Sequence, residues 1–151
     1  MSGDGVVPLI NFAVSRPVLG TSADVEAWAE HAGQLEDGLA LLNELDQMWG
    51  PQGELNRLAE LAAGGRAEVS WDTALLLSMS ATSGLQVDVA NRQVLRTAQE
   101  LLLPTTSARQ ALTADLVLRE LLDAGCAAAT VAIGGFVRSV DPGQRTRALH
   151  R

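Results

Sequence analysis

Aromatic side chains make up only 3% of this 151-residue chain, which contains no tyrosine. A surface on which nucleic-acid bases stack needs several such rings, so a platform of that kind is not expected. Lysine is missing as well, and the 11 basic residues are all arginines. With a net charge of −7, the chain is expected to bind neither nucleic acid nor an anionic membrane non-specifically.

Cysteine is equally scarce. The single Cys126 excludes an internal disulfide framework and fits a reducing compartment, and we interpret it as a small buried hydrophobe between a helix and a strand. No apolar run is long enough to cross a bilayer, and the N-terminus lacks a basic region followed by an apolar one. These features predict a cytoplasmic protein. The length predicts one domain over residues 1–151, with flexible ends at residues 1–8 and 144–151.

Side chains that carry chemistry are not gathered into a recognisable motif. His31 and His150 are far apart on polar segments, and we predict both at the surface. The sequence contains no nucleophile elbow and no Walker-type loop, so no catalytic residue and no metal ligand is predicted. Asp88 follows a turn and lies between two valines. It is interpreted either as the rim of a pocket or as a surface residue on a half-buried strand.

The clearest pattern covers residues 112–138. An apolar stripe predicts a helix that ends at Gly125, with Asp115 and Arg119 as a favourable pair four residues apart. The stripe consists of Ala114, Val117, Leu118, Leu121 and Leu122. The following apolar run, residues 128–133, is typical of a strand buried on both faces. Gly134 and Gly135 then predict a sharp turn, so an α+β or α/β core with a site near this turn is expected.

The start of the same helix allows two interpretations. Ser107 and Gln110 have the spacing of a capping box, and Pro104, Thr105 and Thr106 precede them. One interpretation is simply a well-capped helix. The other is an anion site, because free backbone N–H groups and the positive end of the helix dipole can hold a phosphate.

Elsewhere hydrophobic periodicity predicts a series of short elements. Residues 22–29 fit a strand or a helix equally well. Helices are expected at residues 34–49, 54–63, 71–82 (capped by Ser70) and 91–103. Strands are expected at residues 9–14, 66–69, 85–89 and 136–140, with turns at 16–21 and 141–143.

Six short motifs follow one another between about Arg16 and Arg138. They are Leu19-Gly20-Thr21, Gly53-Glu54-Leu55-Asn56-Arg57-Leu58-Ala59, Val69-Ser70, Thr82-Ser83-Gly84-Leu85-Gln86-Val87-Asp88, the segment from Pro104 to Asp115, and Ala132-Ile133-Gly134-Gly135-Phe136. In order and spacing they resemble the N-terminal part of the FAD:protein FMN transferases, the ApbE family. The resemblance implies an α+β, T-fold-like structure in which helices pack on a small mixed β-sheet. It also implies a pocket for FAD or FMN formed by Leu19, Gly20, Thr21, Asp88, Thr105, Thr106, Ser107, Gln110, Gly134 and Gly135.

Several positions depart from the family pattern. Leu19 stands where the family has a flavin-contacting methionine, Gln110 where it has lysine, and Pro104 and Phe136 where it has aspartate, while Asp115 is retained. The family's C-terminal motifs, which carry its metal ligands, have no counterpart in this sequence. The resemblance therefore implies a shortened relative that does not use magnesium and has lost or reduced transferase activity.

Two other functions stay open: a non-catalytic scaffold or partner-binding subunit, and a new small-molecule activity in a remodelled pocket. An association is also predicted, either a homodimer or a stable complex with another chain. Only one short strand follows residues 128–133, so that apolar strand would lie at a sheet edge, which proteins usually cover. The predicted interface lies near residues 128–140, unless residues 1–15 fold back and close the edge instead.

Overall fold

The computed structural model describes residues 7–141. In chain order its elements are β1 (Ile10–Val18), β2 (Thr21–Ala29), α1 (Gly33–Trp49), α2 (Glu54–Arg57), a 3-10 turn (Leu58–Glu60), β3 (Arg66–Glu68), α3 (Trp71–Met79), β4 (Leu85–Asp88), β5 (Gln93–Arg96), α4 (Thr106–Asp123), β6 (Ala128–Ile133) and β7 (Phe136–Val140). The α+β class is confirmed. The strands form two antiparallel sheets, of order β1-β2-β6-β7 and β3-β5-β4, rather than one mixed sheet.

The described chain divides into two compact units, residues 7–43 with 113–141 and residues 44–112. The prediction of a single domain stays a prediction. Most of the predicted leader and all of the predicted flexible tail lie outside the described residues. Among residues 7–141, no helix combines the length and the apolar character needed to span a bilayer.

The first unit contains the four-stranded sheet. Its β1 continues to Val18, beyond the predicted end at residue 14, so the turn is reduced to Leu19 and Gly20. Pro17 is tolerated because β1 is an outer strand of this sheet, where a missing N–H need not break the ladder. The ambiguous residues 22–29 form β2, with Ala23, Val25, Ala27 and Ala29 buried and the alternate side chains exposed.

The same alternation corrects the prediction for β6. Val131 and Ile133 are fully buried on one face, whereas on the other face Ala128 is buried and Thr130 and Ala132 are half-buried, so the second face is only partly covered. An antiparallel sheet can leave one face in water, and its strands then alternate in this way. β6 also lies between β2 and β7, so its predicted position at a sheet edge is wrong. The predicted association loses that argument and stays a prediction.

The end of α4 shows how the sequence stops this helix. Gly125 has φ = +99°, and its N–H donates to the Leu122 carbonyl at 3.0 Å while the Cys126 N–H donates to the Leu121 carbonyl at 3.1 Å. This pair of bonds is a Schellman motif, which favours glycine at the left-handed position. Cys126 is fully buried at this junction, and His31 is exposed, both as predicted. His150 lies outside the described residues.

The second unit has shorter elements. Ser70 caps α3, as predicted, by accepting a hydrogen bond from the Thr73 N–H at 3.3 Å. The helix predicted over residues 54–63 is a single turn followed by a 3-10 turn. The helix predicted over residues 91–103 is wrong, because residues 93–96 form β5 between β3 and β4. Val94 pairs with both neighbouring strands and is 1% exposed, so tertiary burial overrides a helical spacing of apolar residues.

Candidate functional site

Two predicted site segments lie at the same end of the four-stranded sheet in the first unit. Leu19 and Gly20 form the turn between β1 and β2, and Gly134 and Gly135 form the turn between β6 and β7. Because Ala23 pairs with Ile133, the start of β2 and the end of β6 are at one edge of the unit. We call this arrangement of Leu19, Gly20, Thr21, Gly134 and Gly135 the two-turn end.

Leu19 has an unusual backbone conformation within the two-turn end. Its φ is +47° and that of Gly20 is +77°, the pair of positive angles that a type I′ hairpin turn requires. Asparagine or glycine normally takes the first of these positions, and a leucine there carries backbone strain. The Leu19 side chain is nevertheless only 8% exposed, so an apolar side chain is kept buried in a strained turn.

The two-turn end leaves bare main chain open. A Cβ built on Gly20 or on Gly135 meets no atom within 4 Å, so neither glycine is required by packing inside the protein. A flat ring could therefore approach both turns closely, which fits a flavin. The donor set does not fit magnesium, which prefers carboxylate and other hard oxygen ligands, because Asp88 is the only carboxylate among the ten predicted residues and it does not belong to this unit.

The start of α4 differs from its prediction. Thr105, and not Ser107, is the N-cap: its hydroxyl accepts a hydrogen bond from the Ala108 N–H at 3.1 Å, and its carbonyl accepts from the Arg109 N–H at 3.0 Å. Serine and threonine both cap helices, and with Thr105 as the cap the helix begins at Thr106, one residue before Ser107. Thr106 and Ser107 are exposed in the first turn, and Gln110 is half-buried.

The cation nearest this helix start is already engaged. The Arg109 guanidinium donates to the Pro104 carbonyl at 3.0 Å and to the Trp49 carbonyl at 2.8 Å. Burial lowers the pKa of Arg109 below its usual value. An anion at this helix would therefore be held by main-chain N–H groups and hydroxyls, with Arg109 fixing the loop that precedes them.

Asp88 has a local structural role. Its carboxylate accepts hydrogen bonds from the Asn91 side-chain amide at 2.8 Å and from the Asn91 N–H at 3.2 Å, and these bonds hold the pKa of Asp88 below its usual value. The carboxylate therefore caps the turn between β4 and β5 from an exposed position, and both interpretations of Asp88 stay open. Asp88 also lines a cavity of about 730 Å³ that includes Arg66, Gln86 and Gln93.

A polar cluster in the second unit was not predicted. The Trp49 indole N–H donates to the Thr73 hydroxyl at 3.0 Å, and that fully buried hydroxyl donates in turn to the Glu54 carboxylate. Glu54 also accepts from the Ser70 N–H at 3.1 Å. Both Glu54 and Ser70 belong to motifs quoted above, so the motifs mark a structural junction. Nearby, burial and then the charges of Glu44 and Glu54 raise the pKa of Asp72.

Comparison with solved structures identifies the class of fold. The chain shares its fold with flavin transferases of the ApbE type, as the order of the six motifs predicted. No protein-family model and no curated protein matches the sequence.

Three of the solved structures are as follows. A mutant of the flavin transferase ApbE from Vibrio cholerae superposes with a TM-score of 0.70 and 14% identity, covering 85% of this chain and 62% of that one. The ApbE protein from Thermotoga maritima superposes with a TM-score of 0.69 and 12% identity, covering 86% of this chain and 59% of that one. The apo form of the flavinyl transferase ApbE from Pseudomonas stutzeri superposes with a TM-score of 0.69 and 15% identity, covering 89% of this chain and 60% of that one. The chain thus spans about three-fifths of the length of each structure, and identities this low show the fold alone.

Proposed function

We propose that the chain binds FAD, FMN or an adenine nucleotide and has lost or reduced the transferase activity of the proteins whose fold it shares. The fold likeness to flavin transferases of the ApbE type carries this proposal. The two-turn end supports it, because Gly20 and Gly135 leave main chain open to a flat ring. In the second unit, the exposed first turn of α4 with Thr105, Thr106 and Ser107 supports an anion site for a phosphate.

Reduced activity is proposed from four substitutions relative to the family pattern. Leu19, Pro104, Gln110 and Phe136 replace one methionine, one lysine and two aspartates of the motifs that the sequence resembles. Phosphoryl-group transfer depends on positioned charge, and three of these replacements remove a charged side chain. We therefore expect no magnesium-dependent transfer of FMN to a threonine-bearing acceptor. Covalent fluorescence of the acceptor, after incubation with the chain, FAD and magnesium, would contradict this expectation.

Binding is tested by isothermal titration calorimetry of the full chain with FAD, FMN and ADP. We expect at least one of them to bind with a dissociation constant of about 1 µM or lower. Flat titrations with all three would refute the proposal. The Gly135→Val variant should weaken flavin binding at least about tenfold, because it fills the space above the turn. Ala13→Val adds the same kind of bulk to an exposed position of β1 and serves as the matched control.

The anion site has its own variant. Ser107→Asp places a carboxylate in the first turn of α4, where the helix dipole stabilises negative charge, so the fold should not be weakened. A phosphate bound at this turn would be repelled, and the affinity for ADP should fall. An unchanged ADP affinity would remove Thr105, Thr106, Ser107 and Gln110 from the proposed site while leaving the two-turn end untouched.

A second candidate is a non-catalytic scaffold or partner-binding subunit. It is favoured by the loss of polar or flavin-contacting side chains at three family positions, where this chain has Leu19, Pro104 and Phe136. The colour of the purified protein separates the two candidates: a yellow preparation supports flavin binding, and a colourless one that titrates flat supports the scaffold.

A further inference from the structure

The outward face of the four-stranded sheet carries mostly small side chains. Side chains alternate between faces along a strand, so the exposed face carries every second residue of each strand. Most of these residues are small, namely Ala13, Ser15, Ser22, Thr130, Ala132, Ser139 and the buried Ala128, whereas Asn11, Pro17 and the 59% exposed Val137 are larger. Three larger or charged side chains rise from β2, namely Asp24, Glu26 and Trp28, and Trp28 is 43% exposed. All belong to the first unit.

A pocket lies between β2 and β7 on this face. It has a volume of about 210 Å³. Its lining includes Trp28, Glu26, Thr130, Ser139 and Asp141, together with Ala128 and Ala129 of β6. Trp28 pairs with Ala128, and Ala129 with Val140, so Ala128 lies between Trp28 and Asp141. The strands that carry the two walls are about 10 Å apart, twice the spacing of neighbouring strands. We call this space the outer-face pocket.

The walls of the outer-face pocket differ in chemistry. One wall is the Trp28 indole ring. The polar part of the lining consists of two carboxylates, from Glu26 and Asp141, and two hydroxyls, from Thr130 and Ser139, and the rest is apolar. No basic side chain is among these lining residues. Within the described residues Glu26 makes no ion pair. The face of the Trp28 ring beside the Glu26 carboxylate attracts a cation, and a planar cation can also stack on the ring.

We propose that the outer-face pocket binds an arginine side chain of a partner protein. A guanidinium can stack on Trp28 while its N–H groups donate to a carboxylate in a forked pair. Lysine would satisfy the charge without the stacking or the fork, and an apolar side chain would leave Glu26 unpaired. The proposal is independent of the flavin site, because no residue of the two-turn end lines this pocket.

The position of the pocket also suits a partner segment in extended conformation. β7 is an outer strand of the described sheet, and it pairs only with β6. A partner strand added beside β7 would place alternate side chains on the exposed face, next to Ser139 and Asp141. A second copy of the same face is a poorer occupant, because it would bring its own Asp24 and Glu26 against those of the first copy.

The experiment measures the binding of fluorescein-labelled peptides to the full chain by fluorescence anisotropy. The probe is an eight-residue peptide of alternating arginine and serine, and the control peptide has citrulline in place of arginine, which keeps the shape and removes the charge. We expect the arginine peptide to bind at least about tenfold more tightly than the citrulline peptide, with an affinity that falls between about 50 and about 500 mM salt.

Variants locate the binding. Trp28→Leu and Glu26→Gln should each weaken the arginine peptide about fivefold or more. The matched controls Trp71→Leu and Glu100→Gln, at exposed positions of the second unit, should leave it within about twofold. Ser139→Arg should abolish binding because it supplies a guanidinium from the pocket wall, whereas Ser22→Arg adds the same charge at the far end of the face. Thermal unfolding midpoints identify any variant that fails to fold.

Three results would overturn the proposal. Equal affinity for the arginine and citrulline peptides would exclude a guanidinium site, and equal effects of Trp28→Leu and Trp71→Leu would place binding elsewhere. Replacement of Arg145, Arg147 and Arg151 by glutamine tests whether an arginine of this chain itself occupies the outer-face pocket. A rise of more than about tenfold in peptide affinity would make them the occupant in place of a partner.

Discussion

In the first unit the nine residues of β1 pair along their whole length with the nine residues of β2, whereas no strand of the second unit exceeds four residues. The long strands place one row of side chains inside and one outside, so burial follows a period of two. The short strands of the second unit make few inter-strand hydrogen bonds. Side chains that hydrogen-bond to main-chain groups hold the remaining segments of that unit in place. The two units therefore depend on different features of the sequence.

Arg96 shows the second kind of order most clearly. It follows Leu95 in β5, and its guanidinium donates to the carbonyls of Ala59 at 2.9 Å, Leu61 at 2.7 Å and Ala98 at 2.9 Å, and also to that of Gln99. One planar group with five donors thus fixes the irregular segments before and after the three-stranded sheet. No comparable group fixes the hairpins of the first unit within the described residues.

The largest expected effect comes from one glycine substitution in each unit. Gly84 in the second unit and Gly20 in the first have similar positive φ angles, +81° and +77°. A Cβ on Gly84 would lie 2.3 Å from the Glu100 carbonyl oxygen, whereas one on Gly20 meets nothing within 4 Å. Gly84→Ala should therefore lower the free energy of unfolding by about 3 kcal/mol or more, and Gly20→Ala by about 1 kcal/mol.

Urea denaturation of both variants measures this difference. The similar φ angles make Gly20→Ala the control for backbone strain, so the excess cost at Gly84 reports the close approach of two main-chain segments. Equal costs would mean that the segment near Glu100 yields easily, and that the second unit is less tightly ordered than its hydrogen bonds indicate.

The second prediction removes the side chain of Arg96. Arg96→Leu should cost about 2 kcal/mol, because several charge-assisted hydrogen bonds are lost while water replaces part of them at the exposed carbonyls. Arg96→Lys should recover less than half of this loss, since an ammonium group cannot reach both segments with a planar fork. Hydrogen exchange should become faster at residues 97–99 and stay unchanged in β2. Full recovery with lysine would show that charge alone, and not the fork, holds the loops.

The contrast between the units also explains which elements could be predicted. Hydrophobic periodicity predicted α1 closely, because a long helix gives several repeats of its pattern. The bounds of β6 and β7 followed instead from an uninterrupted apolar run and the two glycines that end it, and the burial of β6 was not predicted correctly. Periodicity failed at residues 91–103, where Val94 and Leu95 have helical spacing with later leucines but lie in a four-residue strand. Four residues contain only two repeats of a strand pattern, and the carbonyls that Arg96 binds are far away in the sequence.

The candidate site was also predicted only in part. The glycine turns were predictable because Gly134 and Gly135 interrupt an apolar run, and their place beside Leu19 and Gly20 follows from the pairing of β2 with β6. That pairing could not be derived from local pattern, since strand order is set by contacts distant in the sequence. The N-cap was misplaced by two residues, because Thr105 and Ser107 are both good caps and only the structure shows which hydroxyl accepts a bond.

The smallest expected effects concern one surface ion pair in each unit. In the first unit Arg138 donates to Asp115 at 2.6 Å and lies over the Phe136 ring. The structure thus gives Asp115 a partner on β7 in place of the predicted Arg119. In the second unit Arg92 and Glu68 are 3.5 Å apart and more exposed. Both pairs are partly solvated, so Asp115→Asn should cost about 0.5 kcal/mol and Glu68→Gln close to zero.

Double-mutant cycles at low and high salt test these values. Asp115→Asn combined with Arg138→Gln should show coupling at about 50 mM salt that disappears at about 1 M, where screening acts over about 3 Å. The same cycle with Arg119→Gln should show none, although Arg119 lies one helical turn from Asp115 and would be preferred on sequence spacing alone. Coupling to Arg119 instead of Arg138 would mean that the helix surface, and not the pairing of α4 with β7, determines where this carboxylate is held.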